Sequence, residues 1–134
     1  MTQRDKPLVR PLSPFMHYRK WHTMTLSILH RITGVALTVG ALLLVYWLVA
    51  AATGPQAYAD AQAVFACPLT QLVLLGFVFS FSYHFLNGIR HLVWDTGRGF
   101  DLGVARNSGY FVVVGAVVLT VVIAAAFCAR GGAV

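Results

Sequence analysis

A histidine within an apolar stretch is the residue of this 134-residue chain with the clearest capacity for chemistry. His84 lies about eight residues, or roughly 12 Å, inside a predicted helix that ends near Leu92, too deep for an imidazole to reach water. It therefore needs a buried partner, and a neutral imidazole suits a haem iron. Gly88, one turn away, lets a flat macrocycle approach the helix backbone, although a small residue serves ordinary helix packing equally well.

The other polar residues of the apolar stretches form one stripe on each of two predicted helices. The stripe on the first helix follows a 3.6-residue period and consists of Ser27, Arg31, Gly34 and Thr38, with His30 at its edge. The stripe on the second helix consists of Ser80, His84, Gly88, His91 and Asp95, with Asn87 beside it. In an antiparallel pair, both stripes concentrate toward the same membrane face and can turn toward a common cavity.

Several cationic side chains lie at the level expected for the propionates of a haem bound to His84. Arg31, His30, Arg90 and His91 approach the same membrane face, where they can pair with carboxylates. The alternative is that Arg31, Arg90 and His91 snorkel to lipid headgroups. His30 is predicted to lie roughly one helical turn shallower than His84, which is awkward for two ligands of one iron. We therefore expect the second axial ligand from a partner chain, and His30 in a network with propionates or water.

Ser27 and Arg31 lie one turn apart and can converge on one small polar group that enters from the bilayer. A quinone carbonyl is such a group, because it needs hydrogen-bond donors when oxidised and a proton supply when reduced. The alternative is that Ser27 bonds back to the preceding helical turn while Arg31 contacts headgroups. Spacing alone favours this alternative.

The elements that position these residues are membrane helices. The chain is 58% apolar and only 10% charged, whereas an average soluble domain carries about 25% charged residues. Three apolar runs are long enough to cross a hydrocarbon core of about 30 Å as helices. The sequence therefore predicts an all-α integral membrane protein with three transmembrane helices, at residues 26–52, 68–92 and 109–129.

Prolines, glycines and small polar residues mark the predicted helix ends. Gly54-Pro55 is expected to end the first helix, Pro68 to lie in the first turn of the second, and Asn107-Ser108 to cap the third. The stretch 56–65 is Ala-rich and compatible with a short surface helix, but its periodicity is weak. The remaining segments are an N-terminal arm at 1–25, loops at 53–67 and 93–108, and a short C-terminus at 130–134.

The distribution of basic residues predicts the orientation. Six of the ten Lys and Arg residues lie at or before Arg31, two lie in the loop at 93–108, and the loop at 53–67 has none. By the positive-inside rule, the N-terminal arm and the loop at 93–108 face the cytoplasm, while the other loop and the C-terminus face outward. Topology thus accounts for the net charge of +6, and nucleic acid is not an expected partner. Cys67 and Cys128 form no thiolate metal motif.

Two motifs resemble the large cytochrome b membrane-anchor subunit of succinate dehydrogenase, respiratory complex II. The first is Arg-Pro-Leu-Ser-Pro at residues 10–14 followed by Ser-Ile-Leu-His-Arg-Ile-Thr-Gly at residues 27–34. The second is His84-x-x-x-Gly88-Ile89-Arg90-His91-Leu92-x-Trp94-Asp95-x-Gly97. They occur in the family's order on the first two helices and cover most of residues 10–97, whereas the third helix matches only in kind.

The resemblance implies a role for each matching residue. His84 matches the family's axial ligand to haem b, whose other ligand comes from the small membrane-anchor subunit, so that a partner completes the haem-binding helical bundle. Ser27 and Arg31 match the ubiquinone-site residues. His30 and Arg31 match positions near the haem propionates. His91, like Asp95, is assigned only to the haem surroundings.

The resemblance also implies partners and a location. In the family, succinate is oxidised by a flavoprotein subunit, and electrons pass through an iron-sulfur subunit; nothing in this sequence could bind a flavin or an iron-sulfur cluster. The chain is expected in a bacterial inner (cytoplasmic) membrane, as part of the enzyme that reduces ubiquinone to ubiquinol. Two alternatives stay open, namely the anchor subunit of a menaquinol-fumarate reductase and a haem-free membrane scaffold.

Overall fold

The computed structural model describes residues 22–130, with side chains from residue 24 onward. In that range it contains four α-helices and no β-strand. They are α1 (His22–Thr53), α2 (Pro55–Ala66), α3 (Pro68–Asp95) and α4 (Leu102–Ala129). Three of them, α1, α3 and α4, are long and apolar enough to cross a membrane, so the predicted all-α fold with three spans is confirmed.

Two prolines set the breaks between the first three helices. A residue that precedes proline is sterically disfavoured in the helical conformation. Cys67 is accordingly extended, with φ −63° and ψ 131°, and Gly54 has a φ of 143° that only glycine adopts readily. Pro55 and Pro68 then lie in the first turns of α2 and α3. The predicted end of the first helix and start of the second are confirmed.

The segment between α1 and α3 is largely helical. Helix α2 has 12 residues and buries only Ala61 and Phe65, which lie one turn apart. The Phe65 ring lies 6.3 Å from that of Tyr46 in α1, and the Tyr58 ring lies 6.0 Å from that of Trp47. The weak periodicity of this stretch therefore reflects a helix that buries a narrow strip against the end of α1.

Helix α4 begins earlier than the sequence predicts. Its N-cap position is Asp101, so the prediction that Asn107-Ser108 caps the third helix is wrong. Inside the helix, the Ser108 hydroxyl donates to the Ala105 carbonyl at 3.1 Å, a local bond that lets a polar residue lie within a helix. The connection from α3 is a tight turn, in which Gly99 has a φ of 83° and its carbonyl accepts a hydrogen bond from Trp94 Nε1.

Helix α3 packs against both α1 and α4. The buried core consists of Leu26, Tyr83, Val112 and Ala116, one or two residues from each of these helices. The Tyr83 hydroxyl donates to the Leu26 carbonyl at 2.8 Å, which fixes how far α1 is shifted along α3. This shift determines which polar residues of the two helices meet.

Most large apolar side chains of the three long helices are exposed in the single chain. On α1, for example, Val35 is 69% and Leu42 is 67% exposed, and on α4 Phe111 is 77% exposed. In a membrane such surfaces contact lipid or the helices of another chain. The exposed apolar faces of the three helices are therefore suited to lipid or to further helices of a membrane bundle.

Candidate functional site

Three histidines from α1 and α3 lie together, and we call them the histidine cluster: His30, His84 and His91. The rings of His30 and His84 are stacked, with their centroids 3.9 Å apart and their planes 13° from parallel. The His91 ring lies 5.2 Å from that of His30 at an angle of 48°. The structure thus brings the predicted polar stripes of the two helices together at this point.

The depths of His30 and His84 differ from the prediction. The sequence predicts that His30 lies one helical turn shallower in the membrane than His84, but the two rings are stacked at the same level. The prediction counted residues from helix ends at 26 and 92, whereas α1 begins at His22 and α3 continues to Asp95. Residue counts also do not give the shift of α1 along α3, because this shift depends on specific contacts between the two helices.

One nitrogen of His84 is fixed by the backbone of α1. The Nδ1 atom of His84 lies 3.1 Å from the carbonyl oxygen of His30. Because a carbonyl only accepts, Nδ1 carries the proton and donates, which leaves Nε2 with the free lone pair. Histidines that bind metals usually donate their second ring nitrogen to a carbonyl or carboxylate in this way. His84 therefore has the tautomer and the second-nitrogen contact of a metal ligand.

Two glycines, one on each helix, bear on the space near His84. A Cβ at Gly34 would lie 3.1 Å from Cε1 of His84, so a glycine in α1 lets the imidazole pack against that helix. A Cβ at Gly88 would meet nothing within 4 Å. The surface of α3 one turn from His84 is thus open to a flat group.

The basic side chains predicted near His84 differ in how deeply they are buried. Nδ1 of His30 is buried and has no hydrogen-bond partner within the described residues, while the Arg31 side chain is exposed. His91 is half-buried, and its ring also packs edge-on against Trp94, with centroids 5.2 Å apart. His30 therefore offers one unsatisfied buried nitrogen next to His84, and Arg31, adjacent to His30 in sequence, offers an accessible guanidinium.

Arg90 does not belong to this group. Its guanidinium is 6% exposed and binds α4, donating through Nε to Ser108 Oγ at 2.9 Å and through Nη2 to the Ala105 carbonyl at 2.9 Å. A third bond, from Nη1 to Asn87 Oδ1, measures 3.4 Å, and the group stacks 3.9 Å above the Trp94 ring. The expectation that Arg90 lies with the propionate-level cations is wrong, because the side chain links α3 to α4.

The polar residues of α3 therefore divide between two faces. His84 and His91 contact α1, whereas Asn87 is fully buried and binds Arg90 toward α4. Asp95 is exposed and Ser80 is buried. The polar residues of α3 have the spacing of one stripe, as predicted, but they pack against two different helices.

Ser27 and Arg31 lie one turn apart on α1, next to the histidine cluster. Ser27 is half-buried, and within residues 22–130 its hydroxyl has no hydrogen-bond partner. Three threonines of the same helix, Thr33, Thr38 and Thr53, do bond back to the preceding turn. The alternative that Ser27 bonds back to its own helix is therefore not observed in that range, and the hydroxyl is available to a ligand.

Sequence reasoning missed Thr33 and Tyr83. Thr33 belongs to the first sequence motif, residues 27–34, but the sequence predicts no role for it. Its Oγ1 lies 3.3 Å from Nδ1 of His84. Tyr83 sets the shift between α1 and α3 through its bond to Leu26. No sequence signal gives either contact, since both depend on how far one helix is shifted along the other.

Comparison with known proteins decides the family. The model of the succinate dehydrogenase/fumarate reductase transmembrane subunit matches residues 6–123. The chain belongs to this family. It is 42% identical over 113 residues to the succinate dehydrogenase cytochrome b556 subunit of Paracoccus denitrificans, covering 84% of this chain and 87% of the relative. The corresponding subunit of Rickettsia conorii is 39% identical over 115 residues, covering 85% and 90%.

A mitochondrial relative shows the same similarity at greater distance. The succinate dehydrogenase cytochrome b560 subunit of Bos taurus is 35% identical over 125 residues, which is 91% of this chain and 74% of the relative. The resemblance to the large cytochrome b anchor of complex II, carried by the two motifs, is confirmed. The chain is a multi-pass membrane protein and an anchor subunit of that family.

Proposed function

We propose that the chain binds haem b together with the small membrane-anchor subunit and forms part of the site that reduces ubiquinone to ubiquinol. The relatives named cytochrome b556 and b560 support the haem assignment. The observation that carries it is the bond between Nδ1 of His84 and the His30 carbonyl, which leaves Nε2 free to bind iron. A haem b held there would supply a reversible one-electron carrier.

His84 is the residue of this chain that would hold the haem iron. An imidazole binds a metal through the lone pair of a ring nitrogen, which lies in the plane of the ring. His30 instead stacks face to face on His84, and its ring centroid lies 3.9 Å away. A face-to-face pair does not direct two nitrogens at one metal, and a second ligand would come from the small membrane-anchor subunit, as the family resemblance implies. The open surface beside Gly88 fits a macrocycle bound to His84.

The residues near His84 have the charge that haem propionates require. The buried Nδ1 of His30 has no partner among residues 22–130, so a carboxylate acceptor would satisfy it when that nitrogen is protonated. Arg31 is exposed beside it and adds a permanent cation, and His91 lies against His30. We assign His30, Arg31 and His91 to the haem surroundings, with His30 and Arg31 toward the propionates.

Ser27 and Arg31 hold the quinone. The Ser27 hydroxyl, which has no partner among residues 22–130, donates a hydrogen bond to a quinone carbonyl oxygen. Reduction to the quinol adds two electrons and two protons, and negative charge develops on the oxygen before the protons arrive. The Arg31 guanidinium stabilises this charge. Arg31 thus serves both the haem propionates and the quinone from one position.

The anchor role requires other subunits and one orientation. Nothing in this sequence could bind a flavin or an iron-sulfur cluster, so succinate is oxidised by the flavoprotein subunit, and the iron-sulfur subunit delivers the electrons. We place the N-terminal arm on the cytoplasmic face of a bacterial inner membrane, on the same side as these soluble subunits. The histidine cluster then lies toward the face from which the electrons arrive.

A spectrum and a quinone analysis of the purified complex test this proposal. The complex is expected to show a b-type reduced-minus-oxidised spectrum and to contain ubiquinone. Menaquinone as the only bound quinone would favour the fumarate reductase alternative instead. A complex with neither haem nor quinone would contradict the proposal and favour a membrane scaffold.

A further inference from the structure

We infer that Thr33 is a positioning residue that holds the imidazole of His84 in its ligand orientation. This inference rests on the proposed haem function. Thr33 is only 7% exposed and lies where α1 meets α3. Its Oγ1 is 3.3 Å from Nδ1 of His84, which makes it the side-chain hydroxyl that α1 directs at this ring.

The hydrogen bonds of Thr33 orient its oxygen toward the imidazole. Oγ1 lies 2.9 Å from the Leu29 carbonyl and 2.9 Å from the His30 carbonyl, and its single proton is directed to these acceptors. The lone pairs of Oγ1 are then available to the N–H of His84. Nδ1 of His84 therefore has two acceptors, the His30 carbonyl at 3.1 Å and Thr33 Oγ1 at 3.3 Å.

Two hydrogen-bond acceptors restrain the orientation of the His84 ring more strongly than a single acceptor does. A single bond to the His30 carbonyl lets the imidazole rotate about the N–H direction, and a second acceptor beside it limits that rotation. The stacked His30 ring and the close approach of Gly34 restrict the same imidazole from other sides. Thr33 thus sets the plane of the axial ligand and the basicity of its nitrogen, both of which act on the haem iron.

Helix α1 contains a matched control for this inference. Thr38 also bonds back to its own helix, with Oγ1 3.2 Å from the Gly34 carbonyl, but it is exposed and has no hydrogen bond to α3. Replacement of either threonine by valine removes a hydroxyl and a local helix bond with nearly the same volume. Only the Thr33 change removes an acceptor from His84.

The test compares the variants Thr33→Val, Thr33→Ala, Thr33→Ser and Thr38→Val in the intact complex. The measurements are the midpoint potential of haem b, the EPR g values of the ferric haem, and the fraction of haem retained on dilution in detergent. Both hydroxyl-free Thr33 variants are expected to shift the potential and the g values and to retain haem about tenfold less tightly. Thr33→Ser and Thr38→Val are expected to match the wild type.

Each other outcome overturns the inference. An unchanged potential and g values in the hydroxyl-free variants would show that the hydroxyl does not act on His84. A shift in Thr33→Ser or in Thr38→Val of the same size would assign the effect to packing. Failure of both hydroxyl-free variants to assemble would assign the hydroxyl to folding of α1. A wild-type complex without haem would instead contradict the proposed function itself, and this inference with it.

Discussion

At His84 the decisive atom is Nδ1, because its bond to the His30 carbonyl fixes which nitrogen is free to bind a metal. The same imidazole in water exchanges its proton between both nitrogens. A carbonyl from a neighbouring helix removes this choice without any charged residue. Three further residues, Gly88, Ser27 and Arg31, allow separate tests of the proposed haem and quinone sites.

The substitution Gly88→Ala tests whether a haem packs on this part of the α3 surface. In the chain alone, an added Cβ meets nothing within 4 Å, so Gly88→Ala is expected to be tolerated and to favour the helix by about 1 kcal/mol. With a macrocycle packed on this turn, the same methyl group collides with it, and haem content falls. Gly76→Ala is the control, because Gly76 is an equally open glycine of α3 far from His84. Equal haem content in the two variants would contradict the placement of the haem beside Gly88.

Ser27 and Arg31 test the quinone site separately from the anchor. Ser27→Ala and Arg31→Leu are expected to slow electron transfer from succinate to ubiquinone while succinate oxidation by a soluble acceptor continues. A hydrogen bond to a charged group contributes about 1.5 to 3 kcal/mol, so Arg31→Leu is expected to lose roughly ten- to a hundred-fold in quinone turnover, and Ser27→Ala less.

The controls for the quinone site are Thr25→Val, an exposed hydroxyl of the same helix, and Arg106→Leu, an exposed arginine of α4. Both are expected to retain quinone turnover. Ser27→Ala is the cleaner of the two tests, because Arg31 is also assigned to the haem surroundings. Unchanged quinone affinity and turnover in Ser27→Ala, with the complex intact, would remove Ser27 from the site.

At the scale of the helices, the buried guanidinium of Arg90 links α3 to α4. Arg90→Leu removes the side-chain donor to Asn87 Oδ1 and the guanidinium bonds to Ser108 Oγ and the Ala105 carbonyl, and a buried group left unsatisfied costs about 1 to 3 kcal/mol. The variant complex is expected to denature several degrees below the wild type in a thermal scan. Arg106→Leu, which is exposed, is expected to change stability by less than about 0.5 kcal/mol. Equal melting of Arg90→Leu and the wild type would contradict this account of the α3–α4 contact.

The sequence predicts the helices far better than their mutual placement. Apolar runs of sufficient length and the two X-Pro steps indicate three spans and the breaks at Pro55 and Pro68, since these effects are local. The start of α4 was missed, because a serine inside a helix can bond to the preceding turn as readily as it caps a new one. The stacking of His30 on His84 was missed for a different reason. It depends on the shift of α1 along α3, which the Tyr83 hydroxyl sets from another turn of the helix.

A candidate site residue can be predicted from the sequence where its residue type is unusual for its surroundings. His84 and Arg31 stand out because ionisable residues within apolar stretches are costly. Thr33 does not stand out, since threonine is common in membrane helices and its own carbonyl bonds account for it. Arg90 stands out but was assigned to the wrong neighbours, because periodicity gives a face of a helix and not the helix that packs against it.

At the scale of the whole molecule, the exposed apolar surface and the distribution of charge determine how the chain lies in the membrane. Few residues of α1 are buried in the single chain, so most of its apolar surface is left to contact lipid or further helices in a membrane. The tests of the proposed sites are therefore designed for the intact complex.

Reporter fusions test the orientation of the whole chain. A reporter at Met1 is expected on the cytoplasmic side and one after Val134 on the outer side, because Lys and Arg are concentrated before and within the first span and in the segment 93–108. A reporter in the segment between α1 and α3 should be on the outer side as an internal control. The reverse arrangement would place the histidine cluster away from the soluble dehydrogenase and contradict the assembly proposed for it.

The most direct test of the central claim is the reduced-minus-oxidised spectrum of the complex that carries His84→Leu, with His17→Leu as its control. His17 precedes the first predicted span, so its replacement is expected to leave the b-type spectrum unchanged. It lies outside the described residues. His84→Leu removes the nitrogen that binds iron and is expected to lower haem content or to convert the haem to an altered ligand field. A His84→Leu complex with wild-type haem content, spectrum and EPR g values would contradict the account.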